Sequence, residues 1–285
     1  MLWAVKLIRQ AGIDLAGDLT VQIVPDEESS CMGTLACCQR GYRADAAIIP
    51  EPTDMKVLVA MRGSLYGLIR VFGRAGHAEL AQPHWRQGGA VNAINKSVKV
   101  IEGMERLTEI WRQRPDNQHP YLDPGKIIPT VIKGGDWTVT YPEEVEISFG
   151  AMFPPGMTGV RQEIEKMLAQ VAAGDPWLEE HPPRLEVGGW HYGAEIDPAE
   201  PIVRSALDAL DALGLEAELK GFGSLTDAIH LINYAHIPTI SLGPKLGPAH
   251  TADEYIEVNE LLAMTKALAL TIMDWCGPAV GDPSE

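Results

Sequence analysis

The sequence predicts an α/β fold in two parts: a mixed, mostly parallel sheet flanked by helices, interrupted by an inserted α+β unit with the order βαββαβ. Two short apolar runs, residues 19–24 and 46–50, are typical of buried parallel strands. The middle of the chain instead alternates apolar and polar residues between two long helical patterns. After residue 198 helices and short strands alternate again, so the last third is expected to complete the first sheet.

The first part begins with a helix and continues into the sheet. Leu2, Val5 and Ile8 recur at helical spacing, and Gly12 ends that helix. Residues 33–39 are expected to form a helix that packs on the sheet between the two apolar strands.

The inserted unit starts where the pattern changes, near residue 61. Residues 64–72 alternate as a half-exposed strand. The predicted elements after it are a helix over 90–111, strands over 126–133 and 144–152, a helix over 160–172 and a strand over 184–187.

The last part contains helices and short strands in alternation. The expected elements are helices over 201–213, 227–235 and 259–275 and strands over 217–220 and 239–242. At about 150 residues per domain, 285 residues suggest two domains. We therefore expect residues 1–61 and 191–285 to form one domain and residues 62–190 to form the inserted one.

Composition narrows the class of protein and its partners. The formal net charge of −16 argues against nucleic acid and anionic membrane surfaces as partners. No apolar run approaches 18 residues, and the four cysteines form no C-x-x-C pair. A reduced, cytoplasmic enzyme is the expectation from these features, and the opening segment does not have the pattern of a signal peptide.

Acidic residues and one histidine form a candidate metal site. Glu27 and Glu28 follow the first apolar run, Glu51 follows the second, and His250 lies in a Gly/Pro-rich loop before an acidic segment. Carboxylates at the ends of parallel strands are typical of sites in open α/β sheets. Glu28, Glu51 and His250 suit zinc, cobalt or manganese, and Glu27 is then available as a general base.

Each of these features also has a structural explanation. An acidic triplet is most often a solvated loop or a helix N-terminus, where negative charge suits the helix dipole. The segment from Glu51 to Asp54 is typical of a turn. A single histidine is more often a surface or core residue than a ligand. Only the joint occurrence of the three motifs, in this order, favours the metal site.

The three motifs, in this order and at these separations, resemble the zinc-dependent peptidase and deacylase family of acetylornithine deacetylase, succinyl-diaminopimelate desuccinylase, aminoacylase and carboxypeptidase G2. The resemblance runs from Met1 to about Cys276. It implies two zinc ions that act together to hydrolyse an amide bond. It also implies that the inserted unit is a lid through which two copies form a homodimer.

The resemblance implies a role for each matching residue. Glu27 would be the general base, Glu28 and His250 would bind one metal ion, and Glu51 would bind the other. His77 matches the lid motif Gly-x-x-x-His, whose histidine reaches the partner subunit's active site and helps to hold the oxyanion. Thr226 and Asp227 match a Thr/Ser-Asp motif of the substrate pocket.

Two further family motifs, a His-x-Asp and a metal-bridging aspartate, have no counterpart in the twenty-five residues before Asp26. The resemblance therefore implies that the chain is a C-terminal part of a longer family member. A second hypothesis follows: a non-catalytic, dimerising scaffold that binds one metal ion or none, because neither site has three protein ligands. A serine hydrolase is set aside because there is no G-x-S-x-G motif.

The substrate is defined only by class. Many members of the family bind the substrate carboxylate with a lid arginine before Pro-Gly, and residues 150–156 contain no arginine. The expected substrate is an N-acyl amino acid or a small peptide-like amide.

Overall fold

A computed structural model of the chain describes residues 1–245 and 247–279. The strands in chain order are β1 (Ala47–Ile49), β2 (Val57–Met61), β3 (Gly63–Phe72), β4 (Gly76–His77), β5 (Lys126–Gly134), β6 (Thr140–Tyr141), β7 (Glu144–Phe153), β8 (Arg184–His191), β9 (Ala194–Glu195), β10 (Leu219–Phe222) and β11 (Thr239–Ser241). The α-helices are α1 (Leu2–Gln10), α2 (Met32–Gln39), α3 (Ala93–Arg112), α4 (Val160–Ala173), α5 (Pro176–Glu180), α6 (Pro201–Ala212), α7 (Ala228–Ala235) and α8 (Val258–Cys276).

These elements form two compact units. The first contains Met1–Met61 and the described residues from Ala194 onward, and the second is Arg62–Gly193. None of the helices within the described ranges is both long and apolar enough to cross a membrane.

The sheet of the first unit is mixed, and β2 is its central strand. The strand order is β1-β11-β2-β10, and β9 also pairs with β2. The pairs β1/β11 and β2/β10 are parallel, whereas β11/β2 and β2/β9 are antiparallel. All five residues of β2, Val-Leu-Val-Ala-Met, are buried, as expected for a strand covered on both faces. The prediction of an α/β fold with a mixed sheet is confirmed, although the sequence pattern did not reveal β2.

One predicted strand is wrong. Residues 19–24 are not a buried strand, and their backbone forms no hydrogen bond with other described backbone groups. Leu19 is 39% exposed and Ile23 is 78% exposed. The residue types favour a strand, but a strand forms only against a neighbouring edge, and no described strand pairs with this segment.

The second unit has the predicted βαββαβ order. Its four main strands form an antiparallel sheet in the order β5-β7-β3-β8. Alternate residues of β7, from Val145 to Phe153, are buried in one core cluster that also contains side chains of α3 and α4. Both long helices therefore lie on the same face of this sheet. Asn92 caps α3, because its side-chain oxygen accepts hydrogen bonds from Ile94 N at 2.9 Å and Asn95 N at 3.3 Å.

Asp175 joins two helices of this unit, α3 and α5. Its carboxylate accepts hydrogen bonds from the backbone of Trp177 and Leu178 at the start of α5, and it pairs with Lys96 and Lys99 of α3 at 2.7 Å. Burial by itself raises the pKa of Asp175, but the hydrogen bonds from the two lysines and from Leu178 outweigh it and lower the pKa.

Asp175→Ala is expected to lower the free energy of unfolding by about 2–4 kcal/mol, because it removes a helix cap and two charge-assisted hydrogen bonds. Asp208→Ala, which breaks only the exposed pair with Arg204, should change it by less than about 1 kcal/mol. Urea unfolding at pH 7 measures both. Since the pKa of Asp175 is lowered on folding, its contribution is present above the ordinary value of 3.8 and is lost as the pH falls below it. If Asp175→Ala lowered the free energy of unfolding by the same amount at pH 7 and below pH 3.8, this role of the Asp175 carboxylate would be contradicted.

Candidate active site

The loop before α2 carries the first two candidate residues. Asp26 has a positive φ of 76°, and its carbonyl oxygen accepts a hydrogen bond from Cys31 N at 2.8 Å. The hydroxyl of Ser30 donates to its carboxylate at 2.5 Å. These bonds close a tight turn over residues 27–30, from which Glu27 and Glu28 project. Glu27 is half-buried, and Glu28 is exposed.

Glu51 follows β1, as the sequence predicts, and the loop after β11 fixes its position. Glu51 N donates to Ile49 O at 2.9 Å, and Leu242 N donates to the same oxygen at 3.0 Å. A Cβ atom on Gly243 would lie 1.9 Å from the carbonyl oxygen of Glu51. Thr53 Oγ1 accepts a hydrogen bond from Gly243 N at 3.0 Å. Only a glycine at position 243 therefore allows the two loops to approach this closely.

His250 lies beside Glu28. Its backbone has a positive φ of 55°, and its N–H donates to Glu254 Oε2 at 2.7 Å. Nε2 of the imidazole is 3.8 Å from Glu28 Oε2, and the two side chains are 77% and 80% exposed. The structure thus brings together two of the predicted metal ligands from opposite ends of the chain.

Thr226 and Asp227 lie at the start of α7 and are buried. Thr226 Oγ1 accepts a hydrogen bond from Ala228 N at 3.2 Å and is 3.5 Å from the hydroxyl oxygen of Ser241. The Asp227 carboxylate accepts hydrogen bonds from the side chains of Thr34 and Cys31. Its Oδ1 atom has no hydrogen-bond partner among the described residues. A buried carboxylate with an unused acceptor is costly and is typical of a functional position.

The carboxylates of these loops repel one another. Burial, followed by the charges of Glu27, Asp227 and Glu28, raises the pKa of Glu51 to about 7. Burial and the charges of Glu28 and Asp227 also raise the pKa of Glu27, while His250 opposes that change. Burial raises the pKa of Asp227 as well. A cation among these groups would offset the repulsion and favour their charged forms.

Two residues of this region were not singled out as functional by the sequence. Cys31 is buried, and burial, Asp227 and Glu27 raise the pKa of its thiol to about 12, so the thiol stays protonated; its Sγ donates to the carbonyl oxygen of Glu27 at 3.5 Å. His230 is also buried, its Nε2 is 3.5 Å from the carbonyl oxygen of Ser30, and burial lowers its pKa. The sequence did contain one indication for His230: it follows Asp227 by three residues, about one helical turn, which places the two side chains on the same side of a helix.

His77 lies in the second unit. It belongs to β4, which pairs with β6 as a two-stranded ribbon, and its side chain is exposed. Nδ1 of His77 accepts a hydrogen bond from Glu79 N at 3.3 Å.

Comparison with known proteins identifies the family. Residues 1–274 match the model of peptidase family M20/M25/M40. The chain belongs to this family.

Two proteins similar to this chain are named N-formyl-4-amino-5-aminomethyl-2-methylpyrimidine deformylase. The protein from Halalkalibacterium halodurans is 32% identical over 96% of this chain and 68% of its own length, and that from Bacillus subtilis is 32% identical over 97% and 68%. The acetylornithine deacetylase of Klebsiella pneumoniae is 26% identical over 90% of this chain and 64% of its own length. The chain thus spans about two thirds of the length of these relatives.

Solved structures share the fold. The aminopeptidase PepT of Bacillus cereus superposes with a TM-score of 0.74 over 94% of this chain and 67% of that one, at 20% identity. A tripeptidase of Staphylococcus aureus gives a TM-score of 0.75 with the same coverage and identity. The predicted resemblance to the deacetylase and desuccinylase family is therefore confirmed, and the family is one of amide-hydrolysing enzymes.

Zinc is the metal that M20 membership implies, and two of the residues fit it. Two ligands of one tetrahedral zinc ion lie roughly 3.4 Å apart, if each bond is about 2.1 Å long. The 3.8 Å between Glu28 and His250 is close to this value. Within residues 1–245 and 247–279, however, no three His, Cys, Asp or Glu side chains are grouped closely enough to hold an ion. The described residues therefore supply a partial set of ligands, with Glu51 apart from the pair.

Glu51→Gln is expected to stabilise the metal-free protein at pH 8 and to leave it unchanged at pH 4.5. Because the pKa of Glu51 is raised on folding, the folded state keeps a proton that the unfolded chain releases. The resulting stability is complete below pH 4.5 and is lost as the pH rises through about 7. The difference should be on the order of 1 kcal/mol, because partial exposure screens the charge.

Urea unfolding in a chelator measures this effect, and Asp211→Asn, at an exposed position of α6, is the control. An equal effect of Glu51→Gln at both pH values would contradict the repulsion among the carboxylates.

Gly243→Ala is expected to lower the free energy of unfolding by about 1–3 kcal/mol, since the new methyl group would overlap the backbone of Glu51. The matched control is Gly223→Ala, where no atom lies within 4 Å of the added Cβ; it should remain within about 0.5 kcal/mol of wild type. Thermal unfolding compares the two. Equal destabilisation by both substitutions would show that the contact with Glu51 is unimportant.

Proposed function

We propose that this chain carries part of the active site of a metal-dependent hydrolase that cleaves an amide bond. The observation that supports it most is the convergence of Glu27, Glu51 and Asp227, from three separate segments, beside Glu28, so that burial and the neighbouring carboxylates raise the pKa of Glu27 and of Glu51. Membership of the M20 family supports the reaction class. A structural role does not account for these like charges at one place, since the raised pKa of Glu27 and of Glu51 means that the charged form of each lowers stability at neutral pH.

In this proposal Glu27 is the general base. Its carboxylate is half-buried, and its pKa is raised by burial and by Glu28 and Asp227, so it accepts a proton more readily than an exposed glutamate does. Glu27 would remove a proton from the attacking water and deliver it to the leaving amine. The tight turn that Asp26 and Cys31 close would hold the carboxylate in place during both transfers.

Glu28 and His250 would hold one metal ion, and Glu51 would contribute to the second. The family's zinc, or cobalt or manganese in its place, would when bound polarise the amide carbonyl and lower the pKa of water. The proximity of Glu28 and His250 supports the first assignment. The raised pKa of Glu51 supports the second, because a carboxylate destabilised by its neighbours gains most from a cation.

The proposed substrate class is an N-acyl amino acid or a small N-acylated amine. Relatives named as a formyl-pyrimidine deformylase, an acetylornithine deacetylase and a succinyl-diaminopimelate desuccinylase all remove an acyl group from an amine nitrogen. Asp227 and Thr226 are proposed to form part of the substrate pocket, with the unused Oδ1 acceptor of Asp227 available to an N–H donor.

The inserted unit, residues 62–190, is proposed as a lid and dimerisation domain. His77 would then act in the active site of the partner protomer as an oxyanion donor. A reducing compartment such as the cytoplasm is proposed as well. It is supported by the four cysteines, all of which are free thiols.

A second candidate function is a scaffold that dimerises and binds one metal ion or none. The observation that favours it is the absence, within the described residues, of any group of three metal-binding side chains. Catalytic zinc is normally held by three protein ligands.

Glu27→Gln is expected to reduce the rate of amide hydrolysis by a factor of about 100 or more while the zinc content stays unchanged, because only the proton transfer is lost. His250→Ala should instead lower the zinc content. Asp211→Asn, an exposed control, should change neither value. The measurements are hydrolysis of N-formyl, N-acetyl and N-succinyl amines and elemental analysis of zinc.

The outcome distinguishes the two candidate functions. Hydrolysis by the wild type that survives Glu27→Gln would refute the role of Glu27. A protein that binds one zinc ion or none and hydrolyses none of the three classes would favour the scaffold.

A further inference from the structure

The turn that carries His77 in the second unit determines which nitrogen of its imidazole holds the proton. His77 pairs with Thr140 of β6, and the chain turns back at once, since Leu80 N donates to the carbonyl oxygen of His77 at 3.4 Å. Within this turn Glu79 N donates to Nδ1 of the imidazole at 3.3 Å. Because Nδ1 is the acceptor, the proton of the neutral ring is on Nε2.

This tautomer suits the role proposed for His77. A group that holds an oxyanion must present an N–H to the oxygen, and the neutral ring supplies one on Nε2. The residue is exposed, and Nε2 forms no hydrogen bond with another described residue. The N–H on Nε2 is therefore available to a ligand only while the turn keeps Nδ1 as the acceptor.

The side chain of Gln82 closes this turn. Its amide nitrogen donates to the carbonyl oxygen of His77 at 2.9 Å and to that of Leu80 at 3.2 Å. Its Oε1 accepts a hydrogen bond from Ala90 N at 3.2 Å. One half-buried glutamine thus uses both ends of its amide and joins the turn to the segment that leads into α3.

The segment at Ala90 has contacts of its own with the chain that follows β3. Arg74 N donates to Val91 O at 2.8 Å, and Val91 N donates to Arg74 O at 3.0 Å. A Cβ on Gly76 would lie 2.5 Å from the Cβ of Ala90, so the two backbones approach closely at this point. Gln82 therefore ties the turn to backbone that other contacts already hold in place.

We propose that Gln82 is a positioning residue for His77. By holding the turn over residues 77–80, it keeps the N–H of Glu79 on Nδ1 and so keeps the proton of the ring on Nε2. The inference rests on the proposed role of His77 as an oxyanion donor. A glutamine that only stabilised the loop would matter equally with and without the imidazole, whereas a positioning residue acts through His77.

Two variants of Gln82 test the local geometry. Gln82→Met keeps the length of the side chain but loses both ends of the amide, and Gln82→Glu keeps the acceptor for Ala90 N but loses the donor to His77 O. In both variants the amide hydrogens of Glu79 and Leu80 are expected to exchange about tenfold faster. The nitrogen chemical shifts of the His77 ring at pH 8 should change from those of one tautomer to those of a mixture.

These measurements use the whole 285-residue chain, and His77→Ala identifies the signals of the ring. The matched control is Gln118→Met in the same unit. The amide nitrogen of Gln118 also donates to a backbone carbonyl, that of Arg112, at 2.9 Å, but it lies outside the loop that carries His77. The control should leave the exchange of residues 79–80 and the tautomer of His77 as they are in the wild type.

Hydrolysis of N-formyl, N-acetyl and N-succinyl amines gives a second readout. His77→Ala is expected to lower kcat about 100-fold, and Gln82→Met to lower it about tenfold with KM within about twofold of wild type. In the His77→Ala background, Gln82→Met should lower kcat by no more than about a further twofold, because its effect passes through the imidazole.

The results distinguish this inference from the proposed hydrolysis. A wild type that hydrolyses none of the three classes would favour the scaffold, and amide exchange and the tautomer of His77 would then decide the role of Gln82. Unchanged exchange and an unchanged tautomer in Gln82→Met would overturn the positioning role. An equal loss of kcat from Gln82→Met with and without His77 would overturn it too, since Gln82 would then only stabilise the loop.

Discussion

Mutual repulsion among carboxylates is the constraint on which the candidate site depends. Glu27, Glu51 and Asp227 are drawn together by the folding of separate segments, and burial plus neighbouring charge raises the pKa of each. The arrangement costs stability at neutral pH in the absence of a cation. In the proposed hydrolysis a bound cation would offset this repulsion, and Glu27 would accept a proton more readily than an exposed glutamate does.

Backbone and side-chain contacts join the segments that carry these carboxylates. The ends of β1 and β11 are joined through Ile49 and Leu242, and Gly243 lets the following loop contact the backbone of Glu51. On the other side, hydrogen bonds from Cys31 and Thr34 connect the first turn of α2 to Asp227. The uncharged side chains of Cys31 and Thr34 therefore stabilise part of the charge on the buried Asp227 carboxylate. Glu28 and His250, in contrast, have exposed side chains.

The same unit also contains a cavity beside the site. β2 is buried in the middle of the sheet, whereas β1 pairs with β11 and with no other described strand, and it lines this cavity of about 710 Å³. Glu51 follows β1 directly and also lines that cavity.

The sequence alone determined the fold class, the βαββαβ order of the second unit and the family, since each rests on periodicity or on short motifs that are local in the chain. It also singled out Glu27, Glu28, Glu51 and His250. Tertiary structure decided the rest. Residues 19–24 have strand propensity but pair with no described strand. The sequence of β2 shows no alternating pattern, because both faces of the strand are buried. Cys31 and His230 reach the site only because α2 packs against α7. Pairing and burial depend on partners distant in sequence, which no local pattern contains.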